Sequence, residues 1–131
     1  MANRKEWYRQ GLRREEYTIS GIIQGNGAAP PVLLTGAKRG IFQLTRTGVG
    51  LYGFTLEDQW QGGLLAFNFN YGDTNYGTVA TRKRMTMITY DVVIAKTISV
   101  VVEDEGPDTV SELTATQFFS FEFVVRNTKD P

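Results

Sequence analysis

The sequence predicts an all-β protein: an antiparallel β-sandwich, jelly-roll-like, of about seven to eight short strands, with an extended N-terminal arm. Three observations predict it. Apolar and polar residues alternate over short stretches, the period of a half-buried strand. Turn signals rich in Gly, Pro, Asn and Asp recur at roughly ten-residue intervals. No segment carries an amphipathic helical stripe. The 131 residues divide into an arm at 1–16, a single sandwich domain at 17–127 and a tail at 128–131.

The arm carries Arg4, Lys5, Arg9, Arg13 and Arg14 against Glu6, Glu15 and Glu16, punctuated by Trp7, Tyr8 and Leu12. Gly11 and the poor spacing of the apolar residues argue against a helix. Such a segment is either a disordered terminus or an arm that orders against a neighbouring subunit, with Trp7 and Tyr8 as anchors. The first strand follows at Tyr17–Ile23, with Tyr17, Ile19 and Ile23 on one face. Gln24–Pro31 is a loop rich in Gly and Pro. Val32-Leu33-Leu34 reads as a short edge strand after the prolines, and Gly36–Gly40 as a turn.

Gly48-Val49-Gly50-Leu51-Tyr52-Gly53 spells G-x-G-x-x-G. That dinucleotide fingerprint works only after a strand and at the opening of a helix. Here Ile41–Thr47 is strand-like, and Tyr52, Phe54 and Leu56 alternate after the glycines. Thr47-Gly48-Val49-Gly50 is therefore a hairpin turn, with glycine supplying positive φ. Substitution of Gly48 should harm folding and leave no nucleotide binding to lose.

Glu57–Gly63 ends that hairpin, and Trp60 within it should plug an end of the core. Leu64–Tyr71 is a half-buried strand with Leu65, Phe67, Phe69 and Tyr71 inward. Gly72–Arg84 is a long polar connection, of a length that is often functional. Met87–Ile94 places Ile88, Tyr90, Val92 and Ile94 on one face. Ile98–Val102 is a β-branched buried strand, linked to its predecessor through Ala95-Lys96-Thr97. Glu103–Asp108 is an acidic turn, with Glu112 beyond it. Gln117–Arg126 is the last strand, with Phe119, Phe121, Phe123 and Val125 inward.

The chain contains no His and no Cys. Triads built on either, and zinc sites with such ligands, are thereby excluded. The residue best suited to proton transfer near neutral pH is missing too. The adjacent carboxylates Glu57/Asp58 and Asp104/Glu105 point to opposite faces of a strand, unlike a glycosidase pair. They read as solvated turn charges. Asp104, Glu105 and Asp108 offer calcium-type ligands without EF-hand spacing. Arg82-Lys83-Arg84, near Tyr71 and Tyr76, mixes phosphate-binding and base-stacking residue types. The formal net charge of zero argues against nucleic acid or an anionic membrane as partner. No apolar run approaches the ~20 residues of a membrane-spanning helix, and the first residues lack the apolar stretch of a signal peptide. The basic arm and Arg82–Arg84 loop, set apart from the acidic Glu103–Glu112 stretch, suggest docking through separated charged ends.

Three stretches carry a family likeness: Ile22-Ile23-Gln24-Gly25-Asn26-Gly27-Ala28-Ala29-Pro30, then Thr45-Arg46-Thr47-Gly48-Val49-Gly50-Leu51-Tyr52-Gly53-Phe54-Thr55-Leu56-Glu57-Asp58, then Phe121-Glu122-Phe123-Val124-Val125-Arg126-Asn127. Their order resembles small decoration, or cement, proteins of tailed-bacteriophage capsids. The resemblance implies a β-rich structural virion protein, often trimeric. Such a protein clamps neighbouring major capsid proteins against internal DNA pressure. It implies synthesis in the host cytoplasm, a place on the capsid exterior, and the major capsid protein and a homotrimer as partners. The residues themselves lead to the expectation of no cofactor, no metal, no enzymatic activity, and neither nucleic acid nor membrane as partner. The arm and the 72–84 connection depart from the common pattern. The residues expected to make capsid or subunit contacts are Trp7, Tyr8, Arg9, Arg13, Arg14, Arg82, Lys83 and Arg84. The competing expectation is a head-fibre or tail-fibre domain that binds host glycan through Tyr71, Asp73, Asn75 and Tyr76.

Overall fold

The computed structural model describes residues 16–36, 40–74 and 82–127. Most of the arm, residues 1–15, therefore lies outside the described residues, as does the tail from 128. The described chain forms eight strands: β1 (Glu16–Gln24), β2 (Val32–Gly36), β3 (Ile41–Gly48), β4 (Leu51–Leu56), β5 (Gly63–Asp73), β6 (Lys83–Asp91), β7 (Thr97–Asp104) and β8 (Gln117–Arg126). They make two four-stranded antiparallel sheets, ordered β2-β1-β8-β5 and β3-β4-β7-β6. This is the predicted antiparallel β-sandwich, with eight strands.

The core is made where strict alternation meets its partner sheet. On β8, Phe119, Phe121, Phe123 and Val125 are buried while their neighbours are half-buried. On β4, Tyr52, Phe54 and Leu56 are buried, and on β7, Ile98, Val100 and Val102. The Phe54 ring meets Phe121 at 5.0 Å and Phe123 at 5.1 Å between centroids, locking one sheet to the other. Each fully buried side chain of this kind contributes about 1.5–3 kcal/mol.

Trp60 does close one end of the core, as expected: it packs against the cluster and stacks on Tyr17 at 5.5 Å. Leu113 closes the other end, fully buried, in a stretch between β7 and β8 that carries no periodicity to announce it.

Two strands differ from the sequence reading. β5 packs on the core with Leu64, Phe69 and Tyr71, the last two opposite Phe121 and Phe119; Phe67, expected inward, is exposed opposite Phe123 at the open edge. Leu65 is skipped in the register and stands exposed, because a bulge inserts one residue and inverts the alternation. β6 begins at Lys83, not Met87, and its inward residues are Lys83, Met85 and Met87. Ile88 and Ile94 are exposed: the first falls at a register shift, the second in the turn before β7.

G-x-G-x-x-G is a hairpin, as predicted, but the glycine that matters is the second. Gly50 has φ +67° and a Cβ there would sit 2.6 Å from Val110 Cγ1 and 2.8 Å from the Ser111 carbonyl oxygen. Gly48 has no positive φ, and its Cβ would meet only the end of the Leu51 side chain, at 3.3 Å. Gly50→Ala is expected to cost about 3 kcal/mol, combining left-handed backbone strain with a backbone clash. Gly48→Ala should cost roughly 1 kcal/mol or less, because Leu51 can move aside. Thermal unfolding followed by circular dichroism compares the two, and equal shifts would contradict the assignment.

Candidate functional site

Arg82-Lys83-Arg84 and the acidic turn prove to be one structure. Lys83 and Asp104 are register partners across β6 and β7, as are Arg84 and Glu103. Lys83 is 8% exposed, and its Nζ lies 2.5 Å from Asp104 Oδ1 and 2.5 Å from Ser111 Oγ. Ser111 Oγ donates to Asp104 Oδ1 at 2.9 Å, and Thr109 Oγ1 to Asp104 Oδ2 at 3.4 Å. Arg84 pairs with Asp108 at 2.7 Å and with Glu103 at 3.5 Å. Arg82 is exposed, and its carbonyl accepts from the Glu105 amide at 2.7 Å. The separation of charge expected from the sequence is corrected for two of these residues: Lys83 and Arg84 pair with Asp104, Glu103 and Asp108, since adjacent antiparallel strands put them side by side, while the arm lies outside the described residues.

Chemically this cluster is static. The Lys83 hydrogen bond, with help from Ser111, holds the Asp104 carboxyl below its ordinary value despite some burial. Lys83, Ser111 and Asp104 thus form one hydrogen-bonded cluster around an ion pair. Asp104 and Asp108 are engaged in ion pairs with Lys83 and Arg84. Among the described residues no group of three or more acidic side chains could hold a metal ion.

Glu112 makes a second staple at the same end. Its carboxylate accepts from Arg46 Nε at 3.0–3.1 Å and from the Gly50 amide at 2.9 Å. Arg46 Nη2 adds an ion-pair contact at 2.9 Å. Burial pushes the Glu112 carboxyl up, but the Arg46 and Gly50 hydrogen bonds together outweigh it, so it titrates below its ordinary value. Tyr52 Oη accepts from the Leu113 amide at 2.9 Å, so the core hydroxyl and the plug residue are tied. Burial raises the Tyr52 hydroxyl above its ordinary value.

Of the glycan-reading residues, Tyr71 packs edge-on against Phe119 and donates its hydroxyl to Asp73 at 2.9 Å. Burial, then Asp73, pushes its pKa up to about 12. Asn75 and Tyr76 lie outside the described residues, as do Trp7, Tyr8, Arg9, Arg13 and Arg14.

The feature the sequence reading missed is on the edges. β2, β3, β5 and β6 are the four edge strands, and each skips a large apolar residue in its register. The skipped residues are Leu34, Phe42, Leu65 and Ile88, which are 48%, 71%, 45% and 54% exposed. β3 skips Thr47 as well, beside its hairpin turn. A bulge blunts an edge by breaking its ladder. Here every edge also presents a large apolar side chain at the break. The signal was present as adjacent apolar residues that interrupt alternation: Leu33-Leu34, Ile41-Phe42, Leu64-Leu65 and Met87-Ile88.

On the β5/β6 flank an open groove of about 390 Å³ is lined by Leu64, Leu65, Ala66, Phe67 and Tyr90. Phe67 is 47% and Tyr90 51% exposed, because both stand on edge strands with no further strand to cover them. A smaller cleft of about 240 Å³ lies between Tyr17, Gly40, Glu57, Asp58 and Trp60. No helix of the described residues is long and apolar enough to cross a membrane.

Asp104 and Glu112 both titrate lower in the folded protein than in the unfolded chain. Their contribution to stability is complete above the unfolded values, near 4, and is lost as pH falls through the depressed folded values. The melting temperature should therefore fall as pH drops below about 4. Glu112→Gln should cost about 2 kcal/mol at neutral pH and flatten that acid limb. Melting curves from pH 7 downward check both, and an unchanged acid limb in the variant would contradict the role given to Glu112. No protein-family model, curated protein or solved structure matches this chain.

Proposed function

We propose that this protein is a non-catalytic structural subunit that decorates a tailed-phage capsid and stabilises it by bridging major capsid proteins. One observation carries the reading: all four sheet edges present a large apolar side chain at a break in the ladder. Edges of this form resist indiscriminate strand pairing and still offer side-chain anchors in several directions. That suits a subunit held by several modest contacts in a repeating lattice, where multivalency multiplies weak attachment.

Two further features support it. The buried ionic groups at one end act as fixed staples, which is what a load-bearing sandwich requires. The resemblance of the hairpin and last strand to decoration proteins supplies the virion context. In this reading the basic, aromatic arm adds contacts through Trp7, Tyr8, Arg9, Arg13 and Arg14, and Arg82 adds an exposed cation. Lys83 and Arg84 instead serve the fold, being paired with Asp104 and with Glu103 and Asp108.

The test is add-back of purified protein to phage heads that lack it, with bound protein and head heat resistance measured. The wild-type chain should bind and raise resistance. Leu34→Ser combined with Ile88→Ser should lose most of the binding, and Trp7→Ala should weaken it. Heads that retain all the variants as tightly as the wild type would refute the attachment mode.

A further inference from the structure

β1 and β5 begin at the same end of one sheet, since both run antiparallel to β8 between them. Glu16 and Gly63 pair with the same residue, Arg126, from its two sides. Two inter-strand steps, roughly 10 Å, separate them. Just beyond Gly63 the β5/β6 groove opens, about 390 Å³, walled by Leu64, Leu65, Ala66, Phe67 and Tyr90. Leu65, Phe67 and Tyr90 are each about half exposed. Residues 1–15 lie outside the described residues, but they join the fold at Glu16, at the groove's own end of the sandwich.

We infer that the groove is the seat of the chain's own N-terminal arm, with Trp7 as the anchor. The arm is long enough. Phe67, at the far end of the groove, is roughly 17 Å from Glu16 by the strand spacings. Trp7 stands nine residues before Glu16, a reach of roughly 30 Å in extended chain, so it arrives with slack. Leu12, four residues before Glu16, reaches roughly 13 Å, the near end of the groove. The C-terminal tail leaves β8 from Arg126, closer still, but Thr128-Lys129-Asp130-Pro131 carries no large apolar side chain to fill the groove. The 75–81 connection joins the opposite ends of β5 and β6. The arm alone combines proximity with apolar anchors.

Charge complements the fit. Residues 1–15 carry five cations against two carboxylates, a formal +3, and residues 16–131 carry nine against twelve, a formal −3. Beside the groove, Asp91 follows Tyr90 on β6, and Glu122 accepts from Asn68 of β5. The contact is small, and between free partners it would be weak, since stable pairs bury about 1,200 Å² or more. A tether changes that. A short linker holds its two halves at an effective concentration on the order of millimolar, so a weak contact within one chain is populated.

The seat goes beyond the capsid reading and does not rest on it. It is tested on the purified full-length chain without capsid, so its failure leaves head binding to be judged separately. Trypsin cleavage after Arg9 reports how often the arm is free. Trp7→Ser and Phe67→Ser should each speed that cleavage by roughly ten-fold, a modest loss for an aromatic anchor. The chain carrying both substitutions should be cut no faster than either single variant, because both remove one contact. Melting temperature, measured as a control, should hold, since Phe67 is exposed. A wild-type arm cut as fast as the variants would overturn the inference, and so would fully additive effects in the double variant.

The decisive measurement uses the absence of native cysteine. A disulfide closes only where two Cα atoms come within about 7 Å. The chain carrying Tyr8→Cys and Ala66→Cys should form an intrachain disulfide under mild oxidation, seen as a mobility shift on a non-reducing gel. The chain carrying Tyr8→Cys and Thr109→Cys should form it at least ten-fold more slowly. Thr109 sits beside Asp104, at the end of the sandwich away from Tyr90. Equal rates at the two positions, or no bond at either, would overturn the seat. A bond formed chiefly between two chains would place the arm on a neighbouring copy and overturn the assignment within one chain.

Discussion

The contact of Phe54 with Phe121 and Phe123 is the interaction on which the rest of the molecule depends. It joins β4 of one sheet to β8 of the other at 5.0 and 5.1 Å. Around it lie the strands with unbroken alternation on β4, β7 and β8. Phe69 extends the stack by meeting Phe123 edge-on at 5.8 Å, which brings β5 over the same core. With no disulfide available, two small sheets depend on this dense aromatic burial to stay together.

A sandwich closed by face-to-face packing still has four open edges, and this chain treats all four alike. Each edge strand skips an apolar residue that points into solvent: Leu34, Phe42, Leu65 or Ile88. The bulge protects against strand addition, and the exposed side chain works against solubility.

The end of the sandwich near Gly50 solves a different problem. The segment from Glu105 to Thr116 has no strand of its own and must be held against the core mouth. Lys83 with Asp104 and Ser111, Glu112 with Arg46 and the Gly50 amide, and Tyr52 with the Leu113 amide do this. Hydrogen bonds to charged groups in partly buried positions are among the stronger polar contacts. They also consume the residues that seemed most chemically suggestive, which is why charge in this chain reads as architecture.

The sequence by itself determined the all-β class, the hairpin within the glycine motif, the shared face of Tyr52, Phe54 and Leu56, the burial of β7 and the inward face of β8. Those features are local: a period of two and a turn glycine act over a few residues. The division of strands between sheets, the bulges and the burial of Lys83 were decided only by the tertiary structure. Leu65 was legible as apolar but not as exposed, because one inserted residue inverts the face of everything beyond it. Gly48 and Gly50 look equivalent in the chain, and only the approach of Val110 and Ser111 makes Gly50 the constrained one. Arg82–Arg84 and Glu103–Asp108 lie about twenty residues apart in sequence and become neighbours only when β6 pairs with β7. Long-range pairing is a property of the whole sheet, and no local pattern encodes which charges it will bring together.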